Sequence, residues 1–119
     1  MKKLVFSLIF AFMATNLWAA GGEQAISTAS TKTADAAILS GAGYFKGFVI
    51  VPDGSNDVTI TFYDNTAGSG SKLLPTMTFA GDGGAHGFTL PAFAYAKTGI
   101  YADITTAGTV EYTVFYSAR

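Results

Sequence analysis

Apolar and polar side chains alternate most cleanly along residues 56–65, N-D-V-T-I-T-F-Y-D-N. Val58, Ile60 and Phe62 fall on one face of an extended chain and Thr59, Thr61 and Tyr63 on the other, because strand side chains point alternately to opposite faces. Nearly every residue is β-branched or aromatic, the types that fit a pleated surface. Turn formers bracket the run, with Pro52-Asp53-Gly54-Ser55 before it and Asp64-Asn65-Thr66-Ala67-Gly68 after it. A strand with one apolar face requires a second layer over that face, so this run alone predicts a sheet packed on another element.

The same reading extends along the chain. Residues 44–51, Y-F-K-G-F-V-I-V, predict a strand whose final residues are apolar on both parities and therefore covered on both faces. Gly47 inside it marks a bulge or a close backbone approach. The turn after Pro52 predicts that 44–51 and 57–64 pair as a hairpin. Residues 48–51 and 58–62 would then form the centre of the core. Residues 35–39 predict a short strand closed by Ser40-Gly41-Ala42-Gly43. Leu73, Leu74, Met77 and Phe79 are interrupted by Pro75, which cannot donate to a ladder and marks an edge strand or a break. Phe88, Leu90, Phe93 and Tyr95 predict a short, broken strand pair around Pro91. Ile100, Ala102 and Ile104, then Val110, Tyr112, Val114 and Tyr116, predict a second hairpin turning at Thr106-Ala107-Gly108. Seven or eight short strands, no amphipathic helix and no fixed-period repeat predict one antiparallel β-sandwich, jelly-roll-like, over residues 36–119.

The first residues read differently. Lys2 and Lys3 precede an apolar run over 4–13, and small residues follow at Ala19, Ala20, Gly21 and Gly22. This anatomy predicts a secretory signal peptide over 1–20, cut after Ala19 or after Gly21. The run is short for a membrane anchor, so no membrane span is expected after its removal. The expected location is secreted, periplasmic or on the cell surface, by Gram-negative-type export. Residues 21–35 are rich in Ser, Thr and Ala, with Ile26 the one large apolar side chain among residues 23–33. They predict a flexible arm, or a strand that pairs with an edge of its own sheet or a neighbour's.

From Gly22 onward five basic side chains face eight acidic ones, a net charge of −3. The basic residues are scattered singly, with no stripe to follow phosphates, so nucleic acid is not an expected partner. The chain has no cysteine, hence no disulfide to restrict its unfolded state. A domain of this size can bury a workable core alone, and self-association would add to it.

Candidate chemistry is sparse. His86 is the one histidine and lies beside a loop dense in glycine (Gly81, Gly83, Gly84, Gly87). No nucleophile elbow accompanies it, and a single His with scattered carboxylates does not make a transition-metal set. The glycine-dense loop lacks the Lys and Ser/Thr of a phosphate-binding loop. Asp53-Gly54-Ser55-Asn56-Asp57 gathers oxygen ligands that calcium would use, but these residues are also what a tight turn demands. The expectation is therefore no catalytic residue, no metal and no cofactor: a protein that is not an enzyme. Tyr63, Tyr101 and Phe115 lie on the parity opposite the apolar set of their strands and are expected to look outward. Together with Ile26 they are the candidate interaction residues. Outward rings that form a contiguous group mark an interaction surface. Its partner is expected to be a second copy of the chain, with surface glycans the alternative.

The run Val58-Thr59-Ile60-Thr61-Phe62-Tyr63-Asp64-Asn65, then Gly70 and Leu73-Leu74-Pro75, then Gly99-Ile100-Tyr101 and the closing V-x-Y-T-V-x-Y of residues 110–116, resembles small all-β proteins that recur in tailed-phage and prophage gene sets. The resemblance covers residues 44–116. It implies a β-sandwich of a virion-associated or uncharacterised protein, specifies fold more than role, and brings no catalytic residue. The export signal stands outside that pattern and points to a related domain serving a secreted or surface assembly. The expected function is a non-enzymatic assembly subunit that self-associates through an exposed sheet edge and outward aromatics.

Overall fold

The structure is a computed structural model that describes residues 27–119. Its strands are β1 (Thr28–Lys32), β2 (Ala36–Ser40), β3 (Gly43–Pro52), β4 (Val58–Tyr63), β5 (Met77–Phe79), β6 (His86–Ala96), β7 (Gly99–Thr106) and β8 (Val110–Ala118). They form two four-stranded sheets of order β1-β8-β3-β6 and β2-β7-β4-β5. Every pairing is antiparallel. Strand 1 pairs with 8, 2 with 7, 3 with 6 and 4 with 5, the wrapping of a jelly roll. The predicted all-β jelly-roll sandwich is what the chain forms.

The inner faces carry the core: Phe45, Phe48, Ile50, Tyr112 and Val114 from one sheet, and Val58, Ile60, Phe62, Ile100 and Ala102 from the other. The Phe62 ring joins the sheets, with its centroid 4.7 Å from that of Phe45 and 5.0 Å from that of Phe48. Each fully buried Val, Ile or Phe among them stabilises the fold by about 1.5–3 kcal/mol relative to exposure. Tyr112 is buried to the same depth, and its hydroxyl donates to the Ala34 carbonyl at 2.6 Å. Burial, helped by the charge of Asp35 and by Tyr101, pushes its ionisation far above the ordinary tyrosine value.

Three expectations change. Neither predicted hairpin exists, because β3 and β4, and likewise β7 and β8, lie in different sheets. An alternating strand needs its apolar face covered, and stacking across the core satisfies that as well as lateral pairing does. Residues 86–96 are one irregular strand rather than a broken pair. The register against β3 slips between Phe45 and Gly47, so that Pro91 and Phe93 are accommodated on an edge strand where Pro is tolerated. The end of β3 is covered on one face only, since Val49 and Val51 are 39 % and 43 % exposed. Of the two readings of residues 21–35, the described part takes the pairing one: β1 pairs with β8 along its whole length, from Thr28 opposite Tyr116 to Lys32 opposite Tyr112. The bulge expected at Gly47 is present. Its φ is +155°, and a Cβ there would collide with the Phe88 carbonyl, so the close approach requires glycine.

Candidate functional site

The sandwich leaves two outer sheet faces, and their chemistry differs. On the β2-β7-β4-β5 sheet the outward positions are mostly hydroxyls. Thr59 bonds Thr78 at 2.9 Å, Thr61 bonds Thr76 at 2.8 Å, and Lys72 donates to Thr76 at 2.9 Å. Tyr63 and Tyr101 are directly opposite each other here, across β4 and β7. Both are half-buried, partly because the loop after β4 folds back. A methyl group on Gly68 of that loop would lie 3.3 Å from the Tyr101 ring.

The outer face of β1-β8-β3-β6 is apolar. Register places Thr113 beside Val49, Phe115 beside Gly47, Glu111 beside Val51 and Ser117 beside Tyr44. On the far side of β3, Gly87 flanks Val49 and Tyr95 flanks Tyr44. The Tyr44 and Tyr95 rings meet at 5.5 Å, and the Arg119 guanidinium donates to the Tyr95 hydroxyl at 2.8 Å. Thr31 and Thr113 bond each other at 2.7 Å. Lys46, in the bulge, sends its ammonium to Ser27 Oγ at 3.1 Å and lies 5.0 Å from the Phe93 ring centre.

Of the sequence candidates, then, Tyr63 and Tyr101 come together, while Phe115 lies on the opposite side of the molecule. Ile26 falls outside the described residues, as does the predicted signal segment. The outward residues that sequence reading missed are Tyr44, Val49, Val51 and Tyr95. The signal for them was the bulge: an extra residue at Gly47 shifts the parity, so that Tyr44, Val49 and Val51 share a face although their spacing in sequence is uneven.

The candidate chemical groups have structural uses. Asp53 accepts from the Ser55 and Asn56 backbone N–H groups at 2.8 Å each, from Asn56 Nδ2 at 2.9 Å and from the Thr109 N–H at 3.2 Å. The Asn56 side chain first, then these backbone donors, hold its carboxyl far below the usual carboxylate range. The cluster is thus a turn that also ties the β3–β4 corner to the β7–β8 corner. Asp64 does the same at the other end, accepting from Thr98, Lys97 and Gly99 at 2.8, 3.1 and 3.4 Å. Burial alone would raise its ionisation, but those three N–H groups and the Lys97 charge bring the net effect below the ordinary value. Among the described residues no three His, Cys, Asp or Glu side chains gather as metal ligands. His86 begins β6 and stacks on Phe79 at 4.7 Å, with Nε2 buried and unpartnered. No nucleophile is hydrogen-bonded to that nitrogen.

Two open concavities of about 340 and 400 Å³ flank Thr33 and Val110 at the end where the β1–β2 and β7–β8 connections meet. Neither is lined by His86, Tyr63, Tyr101 or Phe115. Compared with protein-family models, curated proteins and solved structures, the chain matches none.

Proposed function

We propose that this chain is an exported, non-enzymatic structural subunit that assembles with copies of itself through its β1-β8-β3-β6 sheet. One observation carries the reading. Among the described residues, the exposed large apolar side chains all belong to that one sheet: Tyr44, Val49, Val51, Phe93, Tyr95 and Phe115, and Phe88, which lies opposite Phe48 at the open edge of the inner face. Tyr44, Val49, Val51, Tyr95 and Phe115 share the outer face. Scattered surface apolar groups need no explanation, but a concentration on one face is the mark of an interaction surface. The other sheet's outer face carries threonines bonded to one another in place of such side chains. The edge of the apolar sheet adds to the argument. β1 has no proline and a single charged side chain, Lys32 at its end, so its outer ladder groups at Thr28–Thr31 offer a template for a further strand. Export is carried by the N-terminal sequence pattern, and the phage-like resemblance is in keeping with an assembly role.

The test is solution mass by light scattering across a concentration series, using protein purified from cells expressing the full chain, with its first residue read by mass spectrometry. A defined multiple of the chain mass is expected. A strict monomer up to the highest soluble concentration would overturn the reading. A glycan-binding module is the second reading, favoured by the adjoining Tyr63 and Tyr101 rings with Asp103 on the same outer face. Binding on a glycan array that disappears with Tyr101→Ala would support it.

A further inference from the structure

We infer that the assembly contact is a two-fold, face-to-face pairing of the outer face of the β1-β8-β3-β6 sheet with the same face of a second copy. This rests on the self-assembly reading above and adds the surface, the symmetry and the occupant.

The face is built of rows that cross the sheet. One row runs Thr31, Thr113, Val49, Gly87, and the next Ala29, Phe115, Gly47, Thr89. These eight residues carry no charge, and they lie at the middle of the face; the Lys46 ammonium beside Gly47 is held by Ser27 and the Phe93 ring. Gly47 and Gly87 have no side chain, so Val49 and Phe115 stand above their neighbours. The hydroxyls of Thr31 and Thr113 already bond each other, so covering them leaves less polar capacity unsatisfied.

Charge distribution selects a second copy as the occupant. Apart from Glu111, the described acidic residues (Asp35, Asp53, Asp57, Asp64, Asp82 and Asp103) lie in the connections or on β7 in the other sheet. A mildly acidic chain that pairs through its uncharged face keeps its like charges on the outside of the dimer. A two-fold axis through the Thr113–Val49 row sets uncharged residues against uncharged ones, and the Lys46 ammonium near that row is already covered, 8 % exposed and held against Ser27 and the Phe93 ring. Glu111 lies at one end of the face and Arg119 beyond the other, in rim positions. The Tyr44–Tyr95–Arg119 group supplies residue types that dominate protein interfaces.

The size is sufficient. Four strands about 4.8 Å apart, over eight residues of about 3.3 Å each, offer about 500 Å² per copy. Two copies then bury about 1,000 Å², the lower bound for a specific contact. The pairing is therefore expected to be concentration-dependent rather than permanent.

The chain has no native cysteine, so position-specific crosslinking is clean. Val49→Cys and Thr113→Cys report the proposed face, Thr59→Cys the opposite sheet, and Thr28→Cys the β1 edge. Full chains are compared under mild oxidation, alongside Val49→Asp by light scattering and circular dichroism. The expected result is a doubled mass, disulfide dimers from Val49→Cys or Thr113→Cys at several times the yield of the other two, and a folded, monomeric Val49→Asp. If Val49→Asp fails to fold, Thr113→Lys takes its place as the disrupting variant. A multimer that crosslinks through Thr59→Cys or Thr28→Cys and survives Val49→Asp overturns this face while leaving self-assembly intact. A monomer under all conditions overturns both. A monomer that co-sediments with phosphatidylcholine vesicles, and loses this with Val49→Asp, also overturns the pairing and assigns the face to lipid.

Discussion

At Asp53 a single exposed carboxylate receives three backbone N–H groups and one side-chain amide, and so fixes two chain corners at once. Removing it with Asp53→Ala is expected to lower the melting temperature at pH 7, and the pH dependence gives the sharper test. The folded carboxyl is held below its ordinary value, so the unfolded chain takes up the proton first as pH falls. That stability is present at neutral pH and is lost as pH drops below about 4, the unfolded value. Melting scans between pH 7 and 2.5 should show the native chain losing stability more steeply in the acid limb than Asp53→Ala. Parallel curves would show that the turn does not bear on the fold. Gly47 tests a different kind of constraint. Gly47→Ala is expected to cost more than Gly54→Ala in chemical denaturation. Gly54 has φ +96° with nothing near its missing Cβ, so it reports only the backbone penalty of about 1–2 kcal/mol. At Gly47 the Phe88 carbonyl adds a collision. Equal costs would mean that the two strands separate readily at the bulge.

At the scale of elements, the sheets are unequal in their protection. β3 is paired on both sides, by β6 and β8, and β8 by β1 and β3. β5 has three residues and a single partner, β4. Amide exchange followed by mass spectrometry should therefore leave the strands with two partners, β3 and β8 in one sheet and β4 and β7 in the other, as the slowest segments, while β5 exchanges by local opening long before global unfolding. Uniform exchange rates across the sheets would contradict this ranking. The alternation in Val58–Tyr63 and Val110–Ala118 located those strands and their buried faces from sequence. The hairpins were misread for a definite reason. A turn such as Pro52-Asp53-Gly54-Ser55 reverses direction equally well beside its strand or over the top of the core, and Asp53 holds it in the second arrangement through Thr109.

For the whole molecule, the dominant fact is that the first strand of the roll pairs with the last. Thr28 meets Tyr116 and Ala36 meets Ala102, so loops of most of the domain must close before those contacts form. Refolding monitored by stopped-flow tyrosine fluorescence should accordingly take milliseconds to seconds, as it does for domains dominated by non-local pairings. A microsecond phase accounting for the full amplitude would be inconsistent with the topology.

The sequence by itself determined the strands around Val58–Tyr63, Gly99–Thr106 and Val110–Ala118, which parity of Val58–Tyr63 and Val110–Ala118 is buried, and that the product is an all-β sandwich. These follow from two-residue alternation and turn chemistry, both local properties. It also exposed the irregularity at Gly47, because a glycine inside an apolar strand is a local signal. Only the tertiary structure decided which strands are neighbours, and therefore that Tyr63 and Tyr101 share a face while Phe115 stands on the opposite one. The same holds for the apolar outer surface of Tyr44, Val49, Val51, Tyr95 and Phe115. Those side chains come from three strands, and no local pattern records which strands lie side by side or how a bulge realigns them.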